Sequence, residues 1–443
     1  MRGSLRVTFW IIVYFLLLFS PFIILLIGPR PEGREFWREF SVALGFAGLS
    51  LMGLQFIPTA RLPFLSDVFP MDTLYTFHHR ISIVSFVLVA AHPIILFINN
   101  PFTLQLLNVF TAPGRARAGT IALLSMIILV WTSVSRREFK LKYETWRGIH
   151  IISTVLAAGL ALVHIFGVNY YTAIPAQRAL WIALPVLWLL MIVYVRGIRT
   201  LALLRRPYQI AEVRQERGNT WTLALTPNGH AGMRFKPGQV AWLTVQRMPI
   251  SGGEHPFSFA SSAERPDRIE FAIRELGDFT STVGRLKPQE CKPGQCIYVD
   301  GPYGTFDIDQ HDAPGYVFVA GGIGSAPIMS MIRTLADRED RRPLLFFYGN
   351  RTWERVTFRE ELDALQRQLN LRVVHVLEQP HEGWEGETGF MNAKLFDRYL
   401  PKDRKERVYF VCGPLPMIGA VDKALLELQI PVSQIETERY EMA

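Results

Sequence analysis

Apolar residues dominate the first two hundred positions in long, almost unbroken runs. From about residue 206 they give way to short alternating stretches punctuated by Gly and Pro. The first run, VTFWIIVYFLLLFSPFIILLI (7–27), carries no charge and is long enough to cross a hydrocarbon core of ~30 Å as a helix. It is too long for the apolar part of a signal peptide, and no small-residue cleavage site follows it, so it reads as a retained transmembrane helix. Five more runs, at roughly 38–57, 74–98, 118–135, 147–168 and 178–197, predict five further spans.

Past Pro207 the period shortens. TWTLALTP (220–227) and QVAWLTVQ (239–246), with turns at PNG and KPGQ, predict a small antiparallel barrel. After Gly315 strands alternate with helical patterns: YVFVAGG, IMSMIRTLAD, LLFFYGN, FREELDALQRQL, RVVHVL, VYFVCGP and MIGAVDKALLEL. That alternation predicts a parallel sheet with crossover helices. The expected fold is therefore a polytopic α-helical membrane domain of six helices (1–205), an antiparallel β-barrel domain (206–309) and an α/β nucleotide-binding domain (310–443).

Charge orients the helices. The segment RREFKLKYETWR (136–147) holds five Lys or Arg, and Arg196, Arg199, Arg205 and Arg206 follow the sixth run, whereas the alternate loops carry fewer. The positive-inside rule then predicts a multi-pass protein of the plasma or inner membrane with both termini in the cytoplasm. The net charge of +8 is explained by loops facing anionic lipid headgroups, and no nucleic-acid partner is expected. Cys291, Cys296 and Cys412 all fall in the half expected to be cytoplasmic, where reduced thiols are expected.

Candidate chemistry begins with histidines in the apolar runs. FHHRISIVSFVLVAAH (77–92) places His78 and His92 14 residues apart, and HIISTVLAAGLALVH (150–164) repeats that spacing with His150 and His164. At ~100° per residue, 14 residues bring a side chain back within ~40° of the same face, about 21 Å further along. His79 points well off that face. The third and fifth helices are separated by one returning helix and so run parallel. His78 is then level with His150, and His92 with His164. Polar groups at membrane depth usually mark function, and two facing imidazoles per level suit two six-coordinate b-type haems. Arg80 and Arg147 are candidate propionate partners.

With this histidine pattern the six-helix part resembles the ferric reductase-like transmembrane domain shared by NADPH oxidases and ferric-chelate reductases. The C-terminal half extends the resemblance over the whole chain. HPFSFAS (255–261) is similar to the flavin-binding strand of the ferredoxin-reductase-like family, with His in place of the commoner Arg. The resemblance implies that Pro256, Phe257 and Ser258 lie along an FAD isoalloxazine, with His255 facing the ribityl–phosphate side. In FAIRELGDFTS (271–281), Arg274 and Thr280 would hold the FAD pyrophosphate. VFVAGGIGSAP (317–327) supplies a glycine turn, Gly321, Gly322 and Gly324, with Pro327 in the helix start behind it. FVCGPLPM (410–417) resembles the family's nicotinamide-side loop through Cys412, Gly413 and Pro414. Arg351, in YGNR (348–351), is placed to meet a 2′-phosphate, which favours NADPH, with NADH as the other donor. Two positions depart from relatives. Tyr440 is the nearest candidate for an aromatic cover on the flavin, with Met442 where a second aromatic often sits. Leu96 occupies the place of a histidine found in animal NADPH oxidases.

The resemblance implies a transmembrane oxidoreductase moving electrons from NAD(P)H through FAD and two haems to an outer acceptor, ferric chelate or dioxygen. The alternative is an electron-supply subunit reducing a protein outside the membrane. A six-helix transporter or sensor would leave four evenly spaced histidines idle.

Overall fold

Lipid offers backbone amides no hydrogen-bond partners, so apolar runs of this length fold as helices that satisfy their own polar groups. In the computed structural model, which describes residues 2–108, 110–136, 138–249, 253–288 and 295–439, six helices among the described residues are long and apolar enough to span a membrane. They are α1 (Arg2–Ile27), α2 (Phe36–Leu54), α3 (Met71–Asn99), α4 (Gly114–Val134), α5 (Tyr143–Val168) and α6 (Pro175–Ile192). Their outward faces carry exposed Leu16, Ile152, Val155, Val163 and Leu189, a surface suited to lipid and not to water.

Inside, Phe46, Leu49, Met52, Met126, Ala157, Ala158, Leu162, Trp181 and Trp188 form one cluster. Small residues bring the backbones close, as Ala118 and Ala122 on α4 and Ala157 and Ala158 on α5 are all buried. Polar bonds pin the helices in register. Ser85 Oγ donates to the Gly48 carbonyl at 2.7 Å, and Trp188 Nε1 donates to the Gly53 carbonyl at 3.0 Å. At one end Glu35 caps α2 by accepting from the amides of Trp37 and Arg38. The same carboxylate accepts from Asn99 Nδ2 at 2.7 Å, tying the start of α2 to the end of α3.

The chain divides into two compact units, Met1–Val68 with Thr73–Gly197, and Phe69–Asp72 with Ile198–Ala443. In the second unit, β1 (Pro207–Glu216), β2 (Thr220–Pro227), β3 (Val240–Val245), β4 (Glu254–Ser258), β5 (Ile269–Arg274) and β6 (Ile297–Tyr303) form an antiparallel sheet in the order β4-β3-β6-β1-β2-β5. A bridge between Phe259 and Phe271 joins the two edges and curls the sheet into a barrel. Its inside is filled by Leu223, Leu225, Leu243, Phe259, Phe271 and Ile273.

The second sheet, wholly parallel, runs β10-β9-β8-β7-β11-β12. Its strands are β7 (Tyr316–Gly321), β8 (Leu344–Asn350), β9 (Leu371–Leu377), β10 (Glu387–Thr388), β11 (Val408–Gly413) and β12 (Ile435–Arg439). Helices α7 (Ser325–Asp337), α8 (Arg359–Gln368), α9 (Ala393–Tyr399) and α10 (Leu415–Glu427) cover it. β11 is buried along its whole length, which explains its continuous apolar run between the two helical layers. Arg333 on α7 joins the two sheets' domains. It grips Glu361 through two bonds of 2.7 and 2.6 Å and donates to the Ala260 carbonyl at 2.7 Å. Cys412 is a buried thiol, whereas Cys296 is disulfide-bonded, contrary to the expectation of reduced thiols. Cys291 lies outside the described residues.

Candidate redox-cofactor sites

The 14-residue spacings place α3 and α5 side by side with their histidines paired. The His78 and His150 ring centroids lie 6.4 Å apart, and those of His92 and His164 also 6.4 Å apart. Two imidazoles on opposite sides of one metal, with bonds of about 2 Å, set their centroids roughly 6.3 Å apart. The hydrogen bonds of the rings agree with that use. His92 Nδ1 donates to the Ser41 carbonyl at 2.9 Å, and His164 Nδ1 donates to the Arg115 carbonyl at 2.8 Å. A carbonyl only accepts, so Nδ1 carries the proton and Nε2 keeps its lone pair for a metal.

Buried His78 Nδ1 has no hydrogen-bond partner, and neither has the buried side-chain amide of Gln55. A Cβ on Gly119 would lie 2.8 Å from His164 Nδ1, so α4 can approach that imidazole only through glycine. No cluster of three or more His, Cys, Asp or Glu side chains that could hold a bare metal ion occurs among the described residues. One imidazole pair per level would nonetheless suffice to hold a haem, whose macrocycle supplies the other donors. His79 and Arg80 are exposed, and Arg147 is half-buried.

The flavin-site candidates lie on β4 and the segment after β5. Ser258 is buried and pairs in register with Val240, Phe257 with Ala241, Pro256 with Trp242, and His255 with Leu243. The His255 ring stacks on Phe279 with centroids 4.0 Å apart and an interplanar angle of 12°. That contact ties the strand to the loop holding Thr280. The Thr280 hydroxyl is engaged within its own turn, accepting from the Leu276 and Gly277 amides and donating to the Gly277 carbonyl. It therefore shapes the turn. Arg274 ends β5 with Nη1 only 3.2 Å from where a Gly322 Cβ would stand. Candidate pyrophosphate residues from both domains thus meet.

The nicotinamide candidates gather where β7 and β11 lie side by side. Gly321 ends β7, Gly322 and Gly324 turn the chain, and Pro327 lies in the first turn of α7. A Cβ on Gly324 would lie 2.2 Å from the Cys412 carbonyl oxygen, so this crossing excludes any side chain. Gly413 ends β11 and Pro414 caps α10. The Tyr348 hydroxyl braces the turn through the Gly322 carbonyl at 3.1 Å and Ser325 Oγ at 3.0 Å. Arg351, exposed just past β8, donates from Nε to Gln379 Oε1 at 3.2 Å. Tyr440 and Met442 lie outside the described residues.

Sequence reasoning missed Phe279, Tyr348 and Glu438. Glu438 on β12 pairs in register with Cys412, and its Oε2 is buried without a hydrogen-bond partner. Burial pushes its carboxyl up to about 8, the nearby Asp72 adds to that rise, and a hydrogen bond with Ser258 offsets part of it. An acid at the end of a short exposed-looking run, IETER, gives no local signal. The register of β11 with β12 brings it to Cys412, and a side-chain hydrogen bond joins it to Ser258 at the end of β4 in the other sheet.

Comparison with known proteins finds three successive matches along the chain. A model described as "Ferric reductase like transmembrane component" matches residues 44–162, "FAD-binding domain" matches 206–307 and "Oxidoreductase NAD-binding domain" matches 318–423. NADH-cytochrome b5 reductase 1 of Lodderomyces elongisporus is 33% identical over 153 residues, covering 33% of this chain and 51% of that protein. The protein of the same name from Pyricularia oryzae is 32% identical over 188 residues, covering 40% and 59%. The reductase component of propane 2-monooxygenase from Mycolicibacterium smegmatis is 31% identical over 235 residues, covering 51% and 65%. The chain thus spans between about half and two thirds of the length of these curated relatives. Among the described residues six membrane-length helices come first, and a match to a ferric reductase-like transmembrane component is followed along the chain by an FAD-binding and an NAD-binding domain, the domain order of the ferric reductase/NADPH oxidase architecture.

Proposed function

We propose that this protein takes reducing equivalents from NADPH at its C-terminal unit and delivers electrons across the membrane to an acceptor outside, a ferric chelate or dioxygen. NADH is the alternative donor, and the names of two relatives carry it. On this reading both termini are cytoplasmic and the membrane is the plasma or inner membrane. The observation that carries the proposal is the two imidazole pairs, each 6.4 Å between centroids, in one chain with FAD- and NAD-binding domains.

When bound, the nicotinamide supplies a hydride, the flavin converts a two-electron donor into single electrons, and the haem irons carry those singly. The chain's part is to hold and orient. His78 with His150 and His92 with His164 would hold the haems. Arg274, the turn shaped by Thr280 and His255 would hold FAD, with Pro256, Phe257 and Ser258 along its ring. Gly321, Gly322, Gly324, Pro327, Cys412, Gly413 and Pro414 would admit the dinucleotide, with Arg351 at its 2′-phosphate and Tyr440 the candidate flavin cover. The exposed guanidinium charges of Arg115 and Arg117 would attract an anionic acceptor such as a ferric chelate, and the bond from His164 to the Arg115 carbonyl sets Arg115 beside that pair.

A second reading, an electron-supply subunit serving an external protein, draws on the relative named as a monooxygenase reductase component. Inverted vesicles supplied with NADPH test both readings. Reduction of an enclosed ferric chelate, or superoxide formed inside, is expected. NADPH oxidation that stays confined to acceptors on the NADPH side would overturn transmembrane delivery.

A further inference from the structure

The four imidazoles are not held alike. His92 and His164 bond backbone carbonyls, whereas His150 Nδ1 lies 3.3 Å from Ser133 Oγ. That hydroxyl has a single hydrogen, which it donates to the Leu129 carbonyl at 2.7 Å. The indole Nε1–H of Trp146, a donor that cannot accept, points to the same oxygen at 3.3 Å. Ser133 Oγ accepts from both Trp146 and His150, so His150 carries its proton on Nδ1 and leaves Nε2 bare. Trp146 sits one helical turn before His150, with ring centroids 5.2 Å apart. Arg136 holds its guanidinium 5.1 Å from the Trp146 ring centroid.

A stronger acceptor on Nδ1–H makes an imidazole a more electron-rich ligand, which favours the oxidised metal. Carbonyls at 2.8 and 2.9 Å are stronger partners than a hydroxyl at 3.3 Å that is shared with an indole. We propose that Ser133 and Trp146 are positioning residues for His150, and that they hold the iron between His78 and His150 at a higher reduction potential than the iron between His92 and His164. The proposal rests on the reading of both histidine pairs as haem sites.

Trp146 weakens Ser133 as an acceptor, and Ser133 in turn polarises His150, so the two side chains act with opposite sign. Replacing Ser133 removes the acceptor, whereas replacing Trp146 returns a lone pair of Ser133 to His150.

The test is spectroelectrochemical potentiometry of the full-length, haem-loaded protein, read by absorbance without turnover. Parent protein, Ser133→Ala, Ser133→Thr and Trp146→Phe are compared. In the parent, two low-spin haems of different potential are expected. Ser133→Ala should raise the higher potential, Trp146→Phe should lower it, and Ser133→Thr should restore it. The other haem should stay in place throughout. If Ser133→Ala does not fold, Trp146→Phe keeps the aromatic volume and decides alone by the sign of its shift. Shifts of the same sign in both variants, or a shift confined to the lower-potential haem, would overturn the positioning role. A parent without haem would overturn the histidine reading itself, which haem content reports before any potential is measured.

Discussion

Glu438 is a carboxyl in a place that disfavours its charge, and this should be visible in the pH dependence of folding. Its folded pKa, pushed up to about 8, lies well above the ordinary carboxyl value, so the folded state binds its proton more tightly than the unfolded chain does. The sign follows from linkage. The contribution to stability is fully present below the unfolded value and is lost as pH rises through about 8. Glu438→Gln cannot ionise. Its melting temperature relative to the parent should therefore rise between pH 5 and pH 8.5, by about a few degrees, in differential scanning fluorimetry of the full chain. Parallel pH profiles would contradict it. Arg351 carries the specificity prediction. Arg351→Ala should weaken NADPH binding roughly tenfold or more while sparing NADH, because only NADPH presents a 2′-phosphate to a guanidinium. Titration of both nucleotides by fluorescence quenching reads the ratio. At this scale the histidines were legible because a helix returns to one face after 14 residues. Glu438 was not, because its partners Ser258 and Cys412 come from strands far away in sequence.

Between elements, closeness depends on what is missing from a side chain. A methyl group on Gly119 would stand 2.8 Å from His164 Nδ1, whereas one on Gly159 would meet nothing within 4 Å. Gly119→Ala should therefore displace the His164 ring and reduce haem content from two per chain to about one, while Gly159→Ala should retain both. Pyridine haemochrome assays count them. In the C-terminal unit the corresponding junction is ionic. Arg333, 12% exposed at its side chain, bonds Glu361 and the Ala260 carbonyl. Removing it leaves the buried Ala260 carbonyl without this donor and Glu361 without its partner, a loss of about 2 kcal/mol. Arg404, paired with Asp397 at the surface, should matter much less, about 0.5 kcal/mol. Thermal release of flavin fluorescence from Arg333→Ala and Arg404→Ala compares the two. The strands and crossover helices were legible from period and turn residues. The β12 strand and the α9 helix were not, since IETER has a single apolar residue and AKLFDRY, at seven residues, is too short to show a period.

For the whole chain, the order of its parts was readable because each carries its own composition: six apolar runs, an alternating barrel, then strand–helix units. The clustering of Phe69–Asp72 with the C-terminal unit was not, because four residues have no pattern of their own. The vectorial proposal predicts that His164→Leu keeps NADPH-dependent flavin reduction but abolishes reduction of any external acceptor, as stopped-flow absorbance and a ferrous-chelate assay would show together. Unchanged external reduction would remove His164 from the route. Fourteen residues of helix rise by about 21 Å, some two thirds of a core of ~30 Å. An electron passed from one level to the other therefore crosses most of the membrane's electric field, about 1.6 kcal/mol for every 100 mV. The protein would be electrogenic, a current source whose own output charges the membrane against it. Sustained turnover then requires a compensating flow of cations outward or anions inward, and in sealed vesicles a proton or potassium ionophore should raise the steady rate.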